Sequence, residues 1–147
     1  MSREILSLLP QIKRQLQSYL NEQFKEYNLK SSEIFFMSFL HREGEKSQIE
    51  LTHQLECDKA HTHRIVGKLI DKNYLQYTGE HEKSRNNKLA LTKQGEEISQ
   101  KFDVAIKNWN KILIKGISKE ELESFKKVFE KLLSNAINFK NMEKKNA

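Results

Sequence analysis

Side chains that could bind phosphate and read bases are concentrated between Asp58 and Lys72. At 100° per residue, this stretch places basic and small residues on or beside one side of a helix: Lys59, Ala60, His61, His63, Arg64, Gly67 and Lys68. On such a face an Arg can hydrogen-bond a guanine edge twice, and Lys and His can reach phosphate oxygens. An ordinary solvated helix surface has a similar composition, so the helix alone leaves both interpretations open.

The charge distribution favours a polyanionic partner for this stretch. Between Asp58 and Lys93, eight Lys and Arg stand against four acids, a net charge of +4, whereas the rest of the chain contributes only +2 of the total +6. The sequence pI is about 9.3. A local excess of positive charge is the electrostatic footprint that a duplex requires.

Helical periodicity accounts for most of the chain before this stretch. Apolar residues recur at three- and four-residue steps from Ile5 to Tyr27, which predicts a long first helix. Pro10 lies inside that pattern and either begins the helix or kinks it. A second helix is predicted with Ser31 or Ser32 as its cap and Gly44 as its stop.

Two short helices separated by a tight turn are predicted next. The segment Ser47–Glu50 is a capping box that opens a helix through Leu55, and Glu56–Cys57 form the turn. Asp58 caps the basic helix, whose apolar stripe should pack on the helix before it. Asn73, which tolerates a positive φ, is placed to end that helix.

The period then changes to that of a hairpin. Tyr74–Thr78 and Lys88–Leu91 are β-prone, and the polar residues between them form a long charged tip. Thr92 caps a long helix that Gly116 ends, a second capping box at Ser118 opens the last helix, and the tail from Lys140 should fray. We therefore predict a mostly α (α+β) winged helix-turn-helix of order α-α-α-α-β-β-α-α.

Composition excludes several other classes of protein. No apolar run is long enough to cross a bilayer, the N-terminus is not a signal peptide, and a single Cys excludes an internal disulfide framework. The sequence has no catalytic triad pattern and no glycine-rich phosphate loop. We expect a soluble cytoplasmic protein that is not an enzyme and needs no cofactor or metal.

The ordered set of motifs resembles the MarR family of winged-helix transcriptional regulators. It comprises SQIELTHQL at Ser47–Leu55, RIVGKLIDKNYL at Arg64–Leu75, Arg85 in the wing, and LTKQG at Leu91–Gly95. The motif spans about 47–95, and the order of helices matches over nearly the whole chain. Each motif alone is weak evidence for the family, whereas the ordered set of motifs is fairly specific to it.

The resemblance implies a homodimer that binds double-stranded DNA. Residues 32–91 would form the winged-helix DNA-binding lobe, and 1–30 with 92–139 the dimerisation region of this single MarR-like chain. The function implied is a transcriptional regulator, most simply a repressor released from a pseudo-palindromic operator by a small ligand. The candidate DNA-binding residues are Ser47, Gln48, Lys59, Ala60, His61, His63, Arg64, Lys68, Lys83, Ser84 and Arg85.

The resemblance also implies a pocket for a small aromatic or lipophilic effector between the dimer helices and the DNA-binding lobe. The residues that could line it are Tyr19, Phe36, His41 and Trp109. In the family pattern, an Arg at the position of Arg64 contacts the major groove, Lys68 is a basic position one turn later, and Arg85 reaches the minor groove.

Several positions depart from the family pattern. The wing Asp that braces the Arg is Lys83, a Gly in the helix–helix turn is Glu56, and Asp58–Ala60 replace a Ser-Pro-Ser. His61 and His63 replace small hydroxyl residues, so DNA binding is expected to weaken as pH rises past the histidine pKa.

Two alternatives come from other classes of function. Cys57 lies near a helix N-terminus and two basic residues, an environment that favours a reactive thiol, so a thiol- or metal-responsive regulator stays open. His61 and His63 point about 200° apart on a helix and cannot share an ion. The other alternative is a winged-helix module that binds protein and not DNA.

Overall fold

Six helices and a three-stranded sheet make up the part of the chain that the computed structural model describes, residues 3–79 and 87–146. The elements are α1 (Arg3–Gln23), α2 (Ser31–Glu43), β1 (Lys46–Ser47), α3 (Gln48–Gln54), α4 (Lys59–Asp71), β2 (Leu75–Tyr77), β3 (Lys88–Leu91), α5 (Lys93–Leu113) and α6 (Lys119–Asn146). The chain divides into two compact units after Trp109. The first unit contains the helix-turn-helix and the sheet.

The sheet contains one strand that the sequence pattern did not predict. Its order is β1-β3-β2, with both pairs antiparallel, and Lys46 lies opposite Leu89 while Leu75 lies opposite Leu91. The strand that was not predicted is β1, which has only two residues. Two residues are too few for a period-two pattern, so only the pairing with β3 identifies it.

The N-terminal helices differ from the prediction at their ends. Helix α1 begins before Pro10, which lies inside it, and ends at Gln23, before a 3₁₀ turn at Lys25–Tyr27. The cap of α2 is Lys30 and not Ser31 or Ser32, because the Lys30 N–H donates to Glu33 Oε2 at 2.9 Å. The Ser31 N–H donates instead to the Asn21 side chain at 2.9 Å, a contact from a different helix.

The caps of the two short helices are confirmed. Ser47 Oγ accepts from the Glu50 N–H at 3.2 Å, and a Glu50 carboxylate oxygen accepts from the Ser47 N–H at 2.7 Å. This backbone hydrogen bond is the largest cause of a lowered pKa for Glu50. Asp58 Oδ1 accepts from the His61 N–H at 2.7 Å, and Asn73 ends the segment with φ 60°.

The turn between α3 and α4 requires a left-handed residue, and the chain places Glu56 there with φ 49°. Left-handed geometry brings Cβ close to the following carbonyl, which explains why the family pattern has a Gly at this point.

Glu56→Gly is therefore expected to raise the free energy of unfolding by about 0.5–1 kcal/mol, since it removes the Cβ strain at an exposed position. Urea denaturation measures the change. Lys107→Gly, at an exposed position inside helix α5, should lower stability by about 1 kcal/mol. A loss of stability in Glu56→Gly would contradict the left-handed turn.

A core of apolar side chains holds α4 in the first unit. The buried side of α4 consists of Thr62, Ile65, Val66 and Leu69, as the sequence pattern predicted. Residues from other elements complete this core and are likewise buried: Leu20, Phe24, Ile34, Met37, Leu51, Leu75, Leu89, Ile98 and Phe102. Burial of one side leaves only the other side of α4 free to meet a partner.

A buried ion pair joins the start of α2 to the end of α4. The Glu33 side chain is 4% exposed, that of Lys72 24%, and Lys72 Nζ lies 3.1 Å from Glu33 Oε2. Lys72 Nζ also donates to the Asn28 carbonyl. The sequence pattern did not predict this pair, because its members are 39 residues apart.

The junction between the hairpin and α5 is built around Gly95. Thr92 Oγ1 accepts from the Gly95 N–H at 3.1 Å, which confirms Thr92 as the cap, and the Thr92 hydroxyl donates to the Asn73 carbonyl at 2.7 Å. A Cβ on Gly95 would stand 2.2 Å from the Tyr74 carbonyl oxygen. The glycine therefore permits close approach of two backbones.

The second unit contains the end of α5 and α6. Gly116 has φ 82° between the helices, and Ser118 Oγ accepts from the Glu121 N–H at 3.2 Å, as predicted. The prediction that the chain frays from Lys140 is wrong, since α6 continues to Asn146. Within residues 3–79 and 87–146, no helix combines the length and the apolarity needed to span a membrane.

Candidate nucleic-acid interface

The unburied side of α4 carries the cations that the sequence analysis singled out. Lys59, His63, Arg64 and Lys68 are all exposed, while the stripe on the opposite side is buried. The N-terminal end of α4 is fixed by the Asp58 cap and by the turn from α3. The result is a rigid helix that presents positive charge and hydrogen-bond donors along one side.

His61 is half-buried and lies at the base of this face. Its ring is 6.3 Å from the ring of Phe36 in an edge-on arrangement, and Arg64 Nη2 lies 3.2 Å from His61 Nδ1. Because a guanidinium only donates, this contact needs an imidazole whose Nδ1 is free to accept. The expected weakening of DNA binding at higher pH stays a prediction.

Gln48 connects the first turn of α3 to α4. Its Nε2 lies 3.3 Å from His63 Nδ1, and the two side chains line a shallow, mostly apolar recess of about 470 Å³ together with Lys59 and Ala60. Four of the candidate DNA-binding residues therefore surround one surface feature. The contact between Gln48 and His63 was not predicted, because it depends on how the two helices cross.

Three candidate residues of the wing lie outside the described residues: Lys83, Ser84 and Arg85. The base of the hairpin is described, and the Thr78 N–H donates to the Lys88 carbonyl at 2.9 Å. Ser47, another candidate, is half-buried and caps α3.

Two lysines beside the hairpin base were not among the candidate DNA-binding residues. Lys46 on β1 and Lys88 on β3 lie on paired strands, and both charges help to lower the pKa of Glu50. Only the pairing of β1 with β3 brings the two lysines to the same place, and β1 was not predicted from the sequence.

The candidate effector residues fall into three places. Tyr19 and Trp109 are neighbours, with ring centroids 5.2 Å apart. Phe36 is 4% exposed and contacts His61. His41 Nδ1 lies 2.5 Å from Glu96 Oε2, an ion-pair contact when the ring is protonated. Only Tyr19 and Trp109 are thus brought together by a contact.

Cys57 is half-buried in the helix–helix turn and packs against the core. Its Sγ donates to the Leu55 carbonyl at 3.4 Å. In the part of the chain that the structure describes, no three His, Cys, Asp or Glu side chains are grouped as metal ligands would be.

The fold and the basic face of α4 together define a winged helix-turn-helix protein. Its order of helices and its three-stranded sheet can be compared with those of known proteins. No protein-family model matches the chain.

Two curated relatives are similar over most of their length. The HTH-type transcriptional regulator BilQ of Clostridioides difficile (strain CD3) is 23% identical over 116 residues, which cover 79% of this chain and 78% of BilQ. The HTH-type transcriptional regulator PapX of Escherichia coli is 24% identical over 132 residues, which cover 88% of this chain and 80% of PapX.

Solved structures of MarR proteins have the same fold. A MarR protein from Peptoclostridium difficile aligns with a TM-score of 0.82 and 22% identity, covering 94% of this chain and 90% of that one. MarR of Staphylococcus aureus in complex with salicylate and kanamycin gives 0.83 and 14%, covering 92% of each chain. MepR of S. aureus, solved with DNA, gives 0.78 and 16%, covering 92% of this chain and 99% of MepR. The chain thus has the winged-helix fold of the MarR regulators, and the resemblance seen in the sequence is confirmed.

Proposed function

We propose that this protein is a DNA-binding transcriptional regulator and not an enzyme. The observation that carries the proposal is the division of α4 into a buried apolar side and an exposed side bearing Lys59, Arg64 and Lys68. A recognition helix held in this way can enter the major groove with its N-terminal residues against base edges. Two curated relatives named as HTH-type regulators and the MepR–DNA complex support the same function.

The regulator is proposed to act as a homodimer. In α1, apolar side chains are exposed at Leu8, Leu9 and Ile12. In the second unit, large apolar side chains are also exposed: Ile112, Leu113, Ile114, Ile117, Phe125, Val128, Leu133, Ile137, Phe139 and Met142. Exposed apolar surface on this scale favours an interface, and residues 1–30 and 92–139 would meet their counterparts in a second copy. Sedimentation equilibrium should give twice the 17.4 kDa of one chain.

Two-fold symmetry then implies a pseudo-palindromic operator. Its half-sites would be about 10 base pairs apart, one turn of the duplex.

Repression relieved by a small aromatic or lipophilic effector is the simplest regulatory scheme, and the candidate contacts of the effector are Tyr19, Phe36, His41 and Trp109. The complex of S. aureus MarR with salicylate and kanamycin supports a small ligand as effector.

Substitutions on α4 test DNA binding directly. Arg64→Ala should weaken operator binding by about 1–3 kcal/mol per half-site and relax the preference at one base position of each half-site, because a bidentate base contact is lost there. Lys68→Ala should weaken all duplexes alike and reduce the salt slope by about 1.8, since one phosphate contact is lost in each half-site. Binding would be measured by fluorescence anisotropy on a duplex selected from a random library, at several salt concentrations.

Lys107→Ala removes an equally exposed cation from α5 and is the matched control. It should leave both the affinity and the salt slope unchanged. A flat salt response in the unmodified protein, or no effect of either α4 substitution, would contradict DNA binding through α4 and favour a protein-binding module.

A further inference from the structure

The recess between α3 and α4 has a chemistry that the positive charge around it does not explain. It is lined by Gln48, Lys59, Ala60 and His63, and its surface is mostly apolar. A recess built only for phosphate would present donors instead. Here Gln48 Nε2 and His63 Nδ1 are within hydrogen-bond distance of each other, 3.3 Å, so these two nitrogen atoms already have a partner.

The recess lies where a recognition helix meets base edges. Lys59 and Ala60 are the first two residues of α4, and His63 follows one turn later. Arg64 is four residues after Ala60, so it projects from nearly the same side of the helix. The N-terminal residues of a recognition helix contact bases in the major groove. The recess would therefore face base edges beside the base that Arg64 reads.

We propose that this recess binds the C5-methyl group of a thymine in the major groove. The methyl group is the one apolar feature on the major-groove edges of the four standard bases, and Ala side chains contact it in known complexes. Cytosine has a hydrogen atom at C5 where thymine has the methyl group, so it would leave the recess unfilled. Lys59 and Arg64 beside the recess provide charge complementary to the duplex. The inference depends on the proposed DNA-binding function.

Replacement of thymine by uracil tests the proposal, because it deletes only the methyl group. The duplex selected from a random library would be resynthesised with deoxyuridine at one thymine of one half-site at a time. At the position that meets the recess, loss of one buried methyl contact should weaken binding about fourfold per half-site. All other positions should give a ratio of uracil to thymine dissociation constants near one.

Ala60→Val and Lys68→Ala then locate the effect. Ala60→Val places two methyl groups at the wall where the thymine methyl would lie, so the ratio at the sensitive position should fall from about four to about one. Lys68→Ala removes a cation one turn beyond Arg64 and should lower affinity while leaving the ratio at four. Circular dichroism checks that both variants are folded. A third variant, Ala60→Gly, removes a methyl group from the recess wall and adds no bulk. It should also lower the ratio of uracil to thymine dissociation constants.

Three results would overturn the proposal: no thymine in the selected half-site, no position sensitive to uracil, or a fourfold ratio that survives in Ala60→Val. Each of these leaves salt-dependent duplex binding in place and contradicts only the thymine recess. Failure to bind any duplex at low salt contradicts the proposed function as well, so the two failures are distinguishable.

Discussion

Replacing Lys72 by Met is expected to lower the free energy of unfolding by about 3 kcal/mol, one of the two largest effects that we predict. The partner carboxylate of Glu33 is 4% exposed and lies 3.1 Å from Lys72 Nζ. Without the ammonium group, this charge would be buried with no counter-ion, and breaking a buried pair from one side destabilises a protein by about 3–5 kcal/mol. The lower end of this range is expected because the Lys72 side chain is 24% exposed, so that the ion pair is only partly shielded from water. Urea denaturation at one fixed protein concentration measures the change.

Two variants show whether the buried carboxylate causes the loss. Lys25→Met breaks an ion pair with Glu22 whose side chains are 70% and 67% exposed, so its effect on stability should be far smaller than that of Lys72→Met. The double variant Glu33→Gln/Lys72→Met removes both buried charges and should be more stable than Lys72→Met alone. Equal effects of Lys72→Met and Lys25→Met would contradict the buried pair.

Gly95→Ala is expected to destabilise the protein by a similar amount, about 3 kcal/mol. The added Cβ would stand 2.2 Å from the carbonyl oxygen of Tyr74 and 3.1 Å from the Leu91 side chain. The first contact is with backbone, which cannot rotate away, so α5 must move relative to the hairpin. The Thr92 hydrogen bonds to Asn73 and Gly95 would then be strained, and thermal or urea unfolding would report the loss.

Gly67→Ala provides the matched control within α4. A Cβ at Gly67 meets no atom within 4 Å, and Ala has a higher helix propensity than Gly. This variant should therefore gain about 1 kcal/mol of stability, the opposite sign to Gly95→Ala. If Gly95→Ala raised the unfolding midpoint as Gly67→Ala should, the close approach at Gly95 would be wrong.

The predictions that came from the sequence alone are those whose signals are local. The Ser47–Glu50 capping box, the Asp58 and Thr92 caps and the left-handed Asn73 each depend on residues within four positions, and all are confirmed. The buried stripe of α4 follows from the 3.6-residue period. The predicted α2 cap was displaced because the Ser31 N–H bonds to Asn21, ten residues away.

The sequence by itself therefore determined the helices, their caps and the basic side of α4, because backbone capping and amphipathic periodicity act over a few residues. Tertiary structure alone decided the pairing of β1 with β3, the Lys72–Glu33 ion pair and the recess beneath Gln48 and His63. Each of these joins residues 15 or more positions apart, and no local pattern encodes which distant segments will meet. The basic face could be predicted from periodicity, but the apolar recess within it exists only where α3 crosses α4.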